Sequence, residues 1–205
     1  MKRLCVMISC VAAVALTAGT ACAENIAGKV GVTGRIGFLV PADSEDTSAS
    51  PTFNVDTDTG FVGGGGFIYG INKNIAAELD ITHTDFNGSI GGDRVGNFET
   101  NNISLGVQYR FNEPTAHLTP YAGAGLDILV NGFTRDDGVK ADLDTVVGVH
   151  AAGGVDYFVM KQLALTGQAK VVLAPDADIR LGGDKIGNFD PMNFSMTFGA
   201  RYFFN

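Results

Sequence analysis

Four basic side chains (Arg35, Arg110, Lys170, Arg201) and four acidic ones (Glu78, Asp80, Asp127, Asp156) fall on the polar face of segments that alternate polar and apolar residues. Gln108, His150 and Gln168 share that face. Turned towards hydrocarbon, an Arg or Lys near the middle of a bilayer would cost about 2–4 kcal/mol. Turned into a narrow enclosed space, opposite charges can pair. These eleven residues therefore read as the lining of an interior. Two roles stay open for them: a network that fills and stiffens a plugged interior, or the wall of a polar path.

Covalent chemistry finds little support. The serines near connecting segments, Ser44, Ser48, Ser50 and Ser89, are not in a His-x-Ser arrangement that would pair nucleophile and base. His83 has the apolar parity, His117 falls in a short turn, and His150 belongs to the polar lining. Asp56-x-Asp58, Asp142-x-Asp144 and Asp176-x-Asp178 bring carboxylates close together, but none continues into a calcium loop with its glycine and distal glutamate. Residues 63–66 are all glycine, without the Lys-Ser/Thr that completes a phosphate loop. No catalytic residue, cofactor or metal site is expected.

Eight stretches of roughly ten residues carry apolar side chains at every second position, the period of a strand with one apolar face. The first sets Val30, Val32, Ile36, Phe38 and Val40 against Thr33 and Arg35. The second, residues 59–70, is ambiguous: Phe61, Phe67 and Tyr69 share one parity, Val62 and Ile68 the other. Clean alternation returns in Ile75–Ala77–Leu79–Ile81, Ile103–Leu105–Val107–Tyr109–Phe111, and Ala122–Ala124–Leu126–Ile128–Val130. It continues in Val147–Val149–Ala151–Val155–Tyr157, Leu163–Leu165–Ala169–Val171, and Met192–Phe194–Met196–Phe198–Ala200–Tyr202–Phe204. So many uniform apolar faces predict an all-β, eight-stranded antiparallel up-and-down transmembrane barrel with lipid outside.

Connections support that reading. Residues 71–74, 112–118 and 159–162 are short; residues 41–58, 87–98, 131–142 and 174–190 are long and polar, and the two kinds alternate. One barrel end would carry tight periplasmic turns and the other long external loops, with both termini periplasmic. Residues 1–23 read as a cleaved signal peptide: Lys2 and Arg3, an apolar run from Leu4 to Leu16 too short to span a bilayer, and Ala21-Cys22-Ala23 as the cleavage site. Residues 24–205 then form one barrel domain. All three cysteines would leave with the leader, so no disulfide or thiol chemistry remains. A formal net charge of −8 without a basic run argues against nucleic-acid binding.

An internal echo divides the chain in two. Gly91-Gly92-Asp93-Arg94-Val95-Gly96-Asn97-Phe98-Glu99 returns as Gly182-Gly183-Asp184-Lys185-Ile186-Gly187-Asn188-Phe189-Asp190. Beyond it Asn102, Ser104 and Arg110 align with Asn193, Ser195 and Arg201, as expected of two related four-strand halves. Phe38, Phe61, Tyr69, Tyr109, Phe111, Tyr157, Tyr202 and Phe204 fall near strand ends, where membrane girdles belong.

The sequence resembles the small outer-membrane barrels of the OmpW type, related to the OmpA-like barrels. The resemblance is carried by residues 32–41, by Tyr69-Gly70-Ile71-Asn72-Lys73-Asn74-Ile75-Ala76-Ala77-Glu78-Leu79, by Pro120-Tyr121-Ala122-Gly123-Ala124-Gly125-Leu126, by Gly154-Val155-Asp156-Tyr157 and by the closing aromatic strand. It implies a monomer in the Gram-negative outer membrane that passes small, often hydrophobic solutes. Outer-membrane lipid and lipopolysaccharide are the expected partners. Two features depart from the family. The chain has no Trp, so the tryptophan tied to gating in the family has no counterpart, and Phe204 is followed by Asn205. A narrow channel or lateral-exit conduit is the expected function. A non-conducting structural or surface-interaction barrel and an outer-membrane lipid hydrolase are the alternatives.

Overall fold

The computed structural model describes residues 25–42, 44–45, 54–57, 59–90, 93–111, 117–135, 140–181 and 184–204. The leader with its cleavage site, and Ser48, Ser50 and Asp58, lie outside the described residues. The strands are β1 (Val30–Pro41), β2 (Ser44–Glu45), β3 (Asn54–Thr57), β4 (Gly60–Gly70), β5 (Ile75–Ile90), β6 (Asp93–Arg110), β7 (Leu118–Arg135), β8 (Lys140–Leu143), β9 (Val146–Phe158), β10 (Leu163–Leu173), β11 (Ala177–Leu181), β12 (Asp184–Phe189) and β13 (Asn193–Phe203).

Eight of them, β1, β4, β5, β6, β7, β9, β10 and β13, pair antiparallel with their neighbours. The last closes on the first, from Gly31 opposite Phe203 to Pro41 opposite Asn193. Closure gives every strand of the wall two neighbours, so most of its backbone groups are paired within the wall and the outer face can be largely apolar. Ile36, Phe67, Leu105, Val107, Leu126, Val147 and Phe198 are accordingly exposed on the outer face.

The ambiguous parity of β4 resolves with Phe61, Phe67 and Tyr69 outside and Val62 and Ile68 buried inside. Its glycines explain the ambiguity. A Cβ on Gly64 would overlap the Ile81 carbonyl oxygen, and one on Gly66 that of Leu79 and Asp80 Oδ1. The bare wall leaves space for the longer polar groups of its neighbours.

Three of the four long connections differ from the expectation of loops, because strand continues well into residues 87–98, 131–142 and 174–190. Residues 41–58 likewise contain β2 and β3, which extend the sheet beside β5. Beyond the apolar band the outer face no longer meets hydrocarbon, so the apolar-out alternation ends there. Backbone pairing does not, because the strands already lie in register. The echoed segments form matching hairpins. Ile90 faces Asp93 and Ser89 faces Arg94, then the register shifts to Gly88 opposite Gly96. Leu181 faces Asp184 and Arg180 faces Lys185, then it shifts to Ile179 opposite Gly187. Val95 and Ile186 are thus the extra residues of equivalent bulges.

Candidate functional site

The barrel interior is stacked in layers. At the end that carries the short turns Ile26, Ile68, Ala76, Phe158, Ala164 and Phe203 form a buried apolar cluster. Ile26 comes from the segment before β1: Gly28, with φ +74°, turns the chain, and its N–H donates to the Gly70 carbonyl at 2.7 Å. Gly70 has no room for a Cβ, which would overlap the Ile26 carbonyl oxygen. Phe158 and Phe203 stack at 5.9 Å within the same seal.

Above the seal lies an ionic network. Arg110 Nη2 and Arg201 Nη1 both donate to Asp156 Oδ2, each at 2.7 Å. Arg201 Nη2 reaches Glu78 Oε1 at 2.5 Å, and Arg35 Nη2 donates to the same oxygen at 2.8 Å. Arg35 also pairs with Asp80 at 3.1 Å and donates to Gln168 Oε1 at 2.5 Å. Gln108 ties the two sides together, donating to Glu78 at 3.0 Å and accepting from Arg110 at 3.0 Å. The ring of Tyr121 sits under both guanidiniums, 5.8 Å from that of Arg110 and 5.6 Å from that of Arg201.

A second group centres on Asp127, which is fully buried. It accepts from Ser104 at 2.6 Å, Asn102 at 2.8 Å and Lys170 at 2.8 Å, while His150 Nδ1 lies 2.5 Å from its other oxygen. Gly106 and Gly125 make room for the imidazole, since a Cβ on either would press on the ring. The interior spaces beside these groups are about 30 Å³, bordered by Arg35, Asp80, Lys170, Leu129 and Val172, and about 10 Å³, bordered by Glu78, Ser104 and His150. Each has room for a water or so.

Towards the outer end the interior turns apolar again. Phe86, Phe98, Leu129, Val146, Val172 and Ala177 cluster there, with Phe133 and Ala174 against them. Phe86, Phe98 and Phe133 face one another across three adjacent strands. The first two rings stack at 5.4 Å and the second pair lies at 4.6 Å.

Beside this cluster the wall is interrupted. Pairing between β10 and β13 ends at Val172 opposite Asn193, and resumes between β11 and β12 at Ala177 opposite Phe189. The intervening edges, residues 173–176 and 190–192, carry Pro175 and Pro191, neither of which has an N–H to give. One edge satisfies its own polar groups: Met192 N–H donates to Asp190 Oδ1 at 2.9 Å, and Asn193 Nδ2 donates to the Pro191 carbonyl at 3.0 Å. Outside the gap, Leu126, Val147, Gly148, Val149, Leu173, Ala174, Pro175 and Met192 form a shallow, open apolar groove on the outer face.

All eleven residues expected at the lining, Arg35, Glu78, Asp80, Gln108, Arg110, Asp127, His150, Asp156, Gln168, Lys170 and Arg201, lie on the inner face and take part in these contacts. Sequence reasoning missed the inward-facing apolar residues at both ends, and the gap. Val62, Ile68, Leu129, Val172 and Phe203, apolar on the polar parity, were the available signal for the first. Pro175 and Pro191 at the two edges were the signal for the second. His83 faces outward, between Asn101 at 2.9 Å and Asp85 at 3.2 Å, and His117 rests against Tyr157 at 5.6 Å. Among the described residues, no group of three or more His, Cys, Asp or Glu is placed to hold a metal.

The chain matches the family model described as outer membrane protein beta-barrel domain over residues 8–202. No curated protein matches it. Among solved structures it is similar to OprG from Pseudomonas aeruginosa, with TM-score 0.71 and 18% identity over 89% of this chain and 98% of that one. It is also similar to AlkL in DMPC lipid bilayers, with TM-score 0.59 and 18% identity over 92% and 95%. The outer membrane protein W of E. coli gives TM-score 0.51 and 22% identity over 87% and 98%. At these identities the structural likenesses speak for the fold.

Proposed function

Because the chain belongs to the outer-membrane β-barrel family on a match spanning nearly its whole length, we propose that it is a conduit in the bacterial outer membrane that takes small apolar solutes from outside and releases them sideways into the lipid. The observation that carries this reading is the wall gap between Val172–Asn193 and Ala177–Phe189, with a packed apolar cluster on its inner side and an apolar surface on its outer side. An apolar solute faces a barrier in the charged saccharide layer of lipopolysaccharide. A wall gap flanked by apolar side chains on both faces offers a way past it, and burial of roughly 25 cal/mol per Å² favours each step inward.

The axial direction offers such a solute nothing comparable. It would meet the network around Asp156 and Asp127 and then the Ile26 seal, and breaking paired buried charges to pass them is costly. Transport in this reading involves no covalent step, no cofactor and no metal, and a single barrel suffices. The first 23 residues would serve as the export signal, removed after Ala23.

Uptake of N-phenylnaphthylamine by intact cells with and without the protein, combined with planar-bilayer conductance of the purified barrel, tests the proposal. Faster dye partitioning with little ionic current is expected. The filled interior also fits a non-conducting barrel that contacts lipopolysaccharide or other partners through its outer segments. Absence of both dye uptake and current would favour that reading. A steady ionic current without dye uptake would point to an axial pore instead, and lipid A turnover to a hydrolase.

A further inference from the structure

We infer that Met192 is the movable partition of the wall gap and sets the girth of solute that can leave through it, an inference that rests on the conduit reading above. Met192 borders two spaces at once. On one side it lines a small interior pocket with Leu39, Pro41 and Phe86, and on the other the outer groove with Leu173 and Ala174. Met192 therefore stands between that pocket, about 10 Å³ beside the Phe86 cluster, and the lipid side.

The backbone around it is held. Met192 N–H donates to Asp190 Oδ1 at 2.9 Å, and its carbonyl accepts from Ala42 N–H at 2.8 Å, tying this edge to the end of β1. Pro191 restricts the residue before it. The facing edge is packed close as well: a Cβ on Gly148 would lie 2.9 Å from the Ala174 Cβ. With both edges held, passage depends on a side chain that can move. Met is unbranched, with three rotatable bonds and a polarisable sulfur, so it fills the gap and can swing aside without strand separation. A flat or slender hydrophobe then passes more readily than a bulky one.

Dye uptake by cells carrying wild type, Met192→Ala, Met192→Phe and the lipid-facing control Val107→Ala tests this, with N-phenylnaphthylamine as slender probe and perylene as broad one. Met192→Phe should slow the slender probe by about tenfold, as an overfilled gap must be forced. Met192→Ala should admit perylene about tenfold faster and erase the size preference. Val107→Ala should match wild type. Gel mobility of unheated samples checks that each barrel is folded; should Met192→Phe fail to fold, Met192→Ala decides alone. Wild-type uptake with an unaltered size preference in Met192→Ala overturns the role of Met192 and leaves the conduit standing. No uptake by wild type above cells lacking the protein overturns the conduit, and this inference with it.

Discussion

Arg110 on β6 and Arg201 on β13, aligned positions in the two halves of the chain, close on one oxygen of Asp156, each at 2.7 Å. Both guanidiniums and the carboxylate are fully buried. The repeat is thus resolved asymmetrically: two equivalent arginines share one acid, and Arg201 alone spends its other nitrogen on Glu78.

Removing Asp156 leaves two buried cations facing each other beside Tyr121. Asp156→Ala should destabilise the barrel by about 3–5 kcal/mol or more, and Arg110→Ala, which leaves Asp156 with Arg201, by less. The temperature at which detergent-solubilised samples lose their folded gel mobility measures both. Equal resistance of Asp156→Ala and wild type would place this group outside the barrel.

Space on the inner wall is set by glycine. Gly66→Ala drives a methyl group into the Leu79 carbonyl oxygen and Asp80 Oδ1, whereas Gly34→Ala meets nothing within 4 Å. The first should cost about 1–3 kcal/mol or prevent folding, and the second should be close to neutral. Refolding yield in detergent separates them.

The seal at the short-turn end depends on Ile26. Ile26→Asp would place a charge in the cluster with Phe158 and Phe203 and should expel the segment. A single cysteine at Ala164, fully buried in the wild-type barrel, reports the change. It should be inert to a water-soluble maleimide with Ile26 present and reactive in Ile26→Asp. Equal reactivity in both backgrounds would mean the segment does not close the mouth.

At the gap, burial raises the pKa of Asp190 above the usual carboxylate value of 3.8; the Met192 N–H opposes that rise, and Asp176 on the facing edge adds to it. The folded protein therefore holds this proton more tightly than the unfolded chain does. Its contribution to stability is present at low pH and lost as pH rises from 3.8 through the raised folded value. Asp190→Asn should flatten that part of the stability–pH curve, and Asp176→Asn should reduce it. A curve unchanged by Asp190→Asn would mean that the carboxyl does not feel its burial.

Much of the molecule was legible in the chain because a membrane barrel has a two-residue period and a single apolar solvent. Ile103, Leu105 and Val107 had to face lipid, which put Ser104, Gln108 and Arg110 inside and made an eight-strand cylinder the economical way to satisfy the backbone. The parity of Arg35 or Asp127 followed from the same alternation. Alternation could not say how far β5 and β6 run past the membrane, since outside it the outer face meets water and need not be apolar.

Which acid each base would find, and whether the wall would be continuous, were decided only in three dimensions. Sequence order says nothing of the fact that Arg201 lies between Asp156 and Glu78, because barrel closure brings distant strands to one axis. Nor does it say that Pro175 and Pro191 stand on facing edges of one gap, with Met192 between a small inner pocket and the outer face, since two missing N–H groups interrupt a ladder only after pairing has set them side by side.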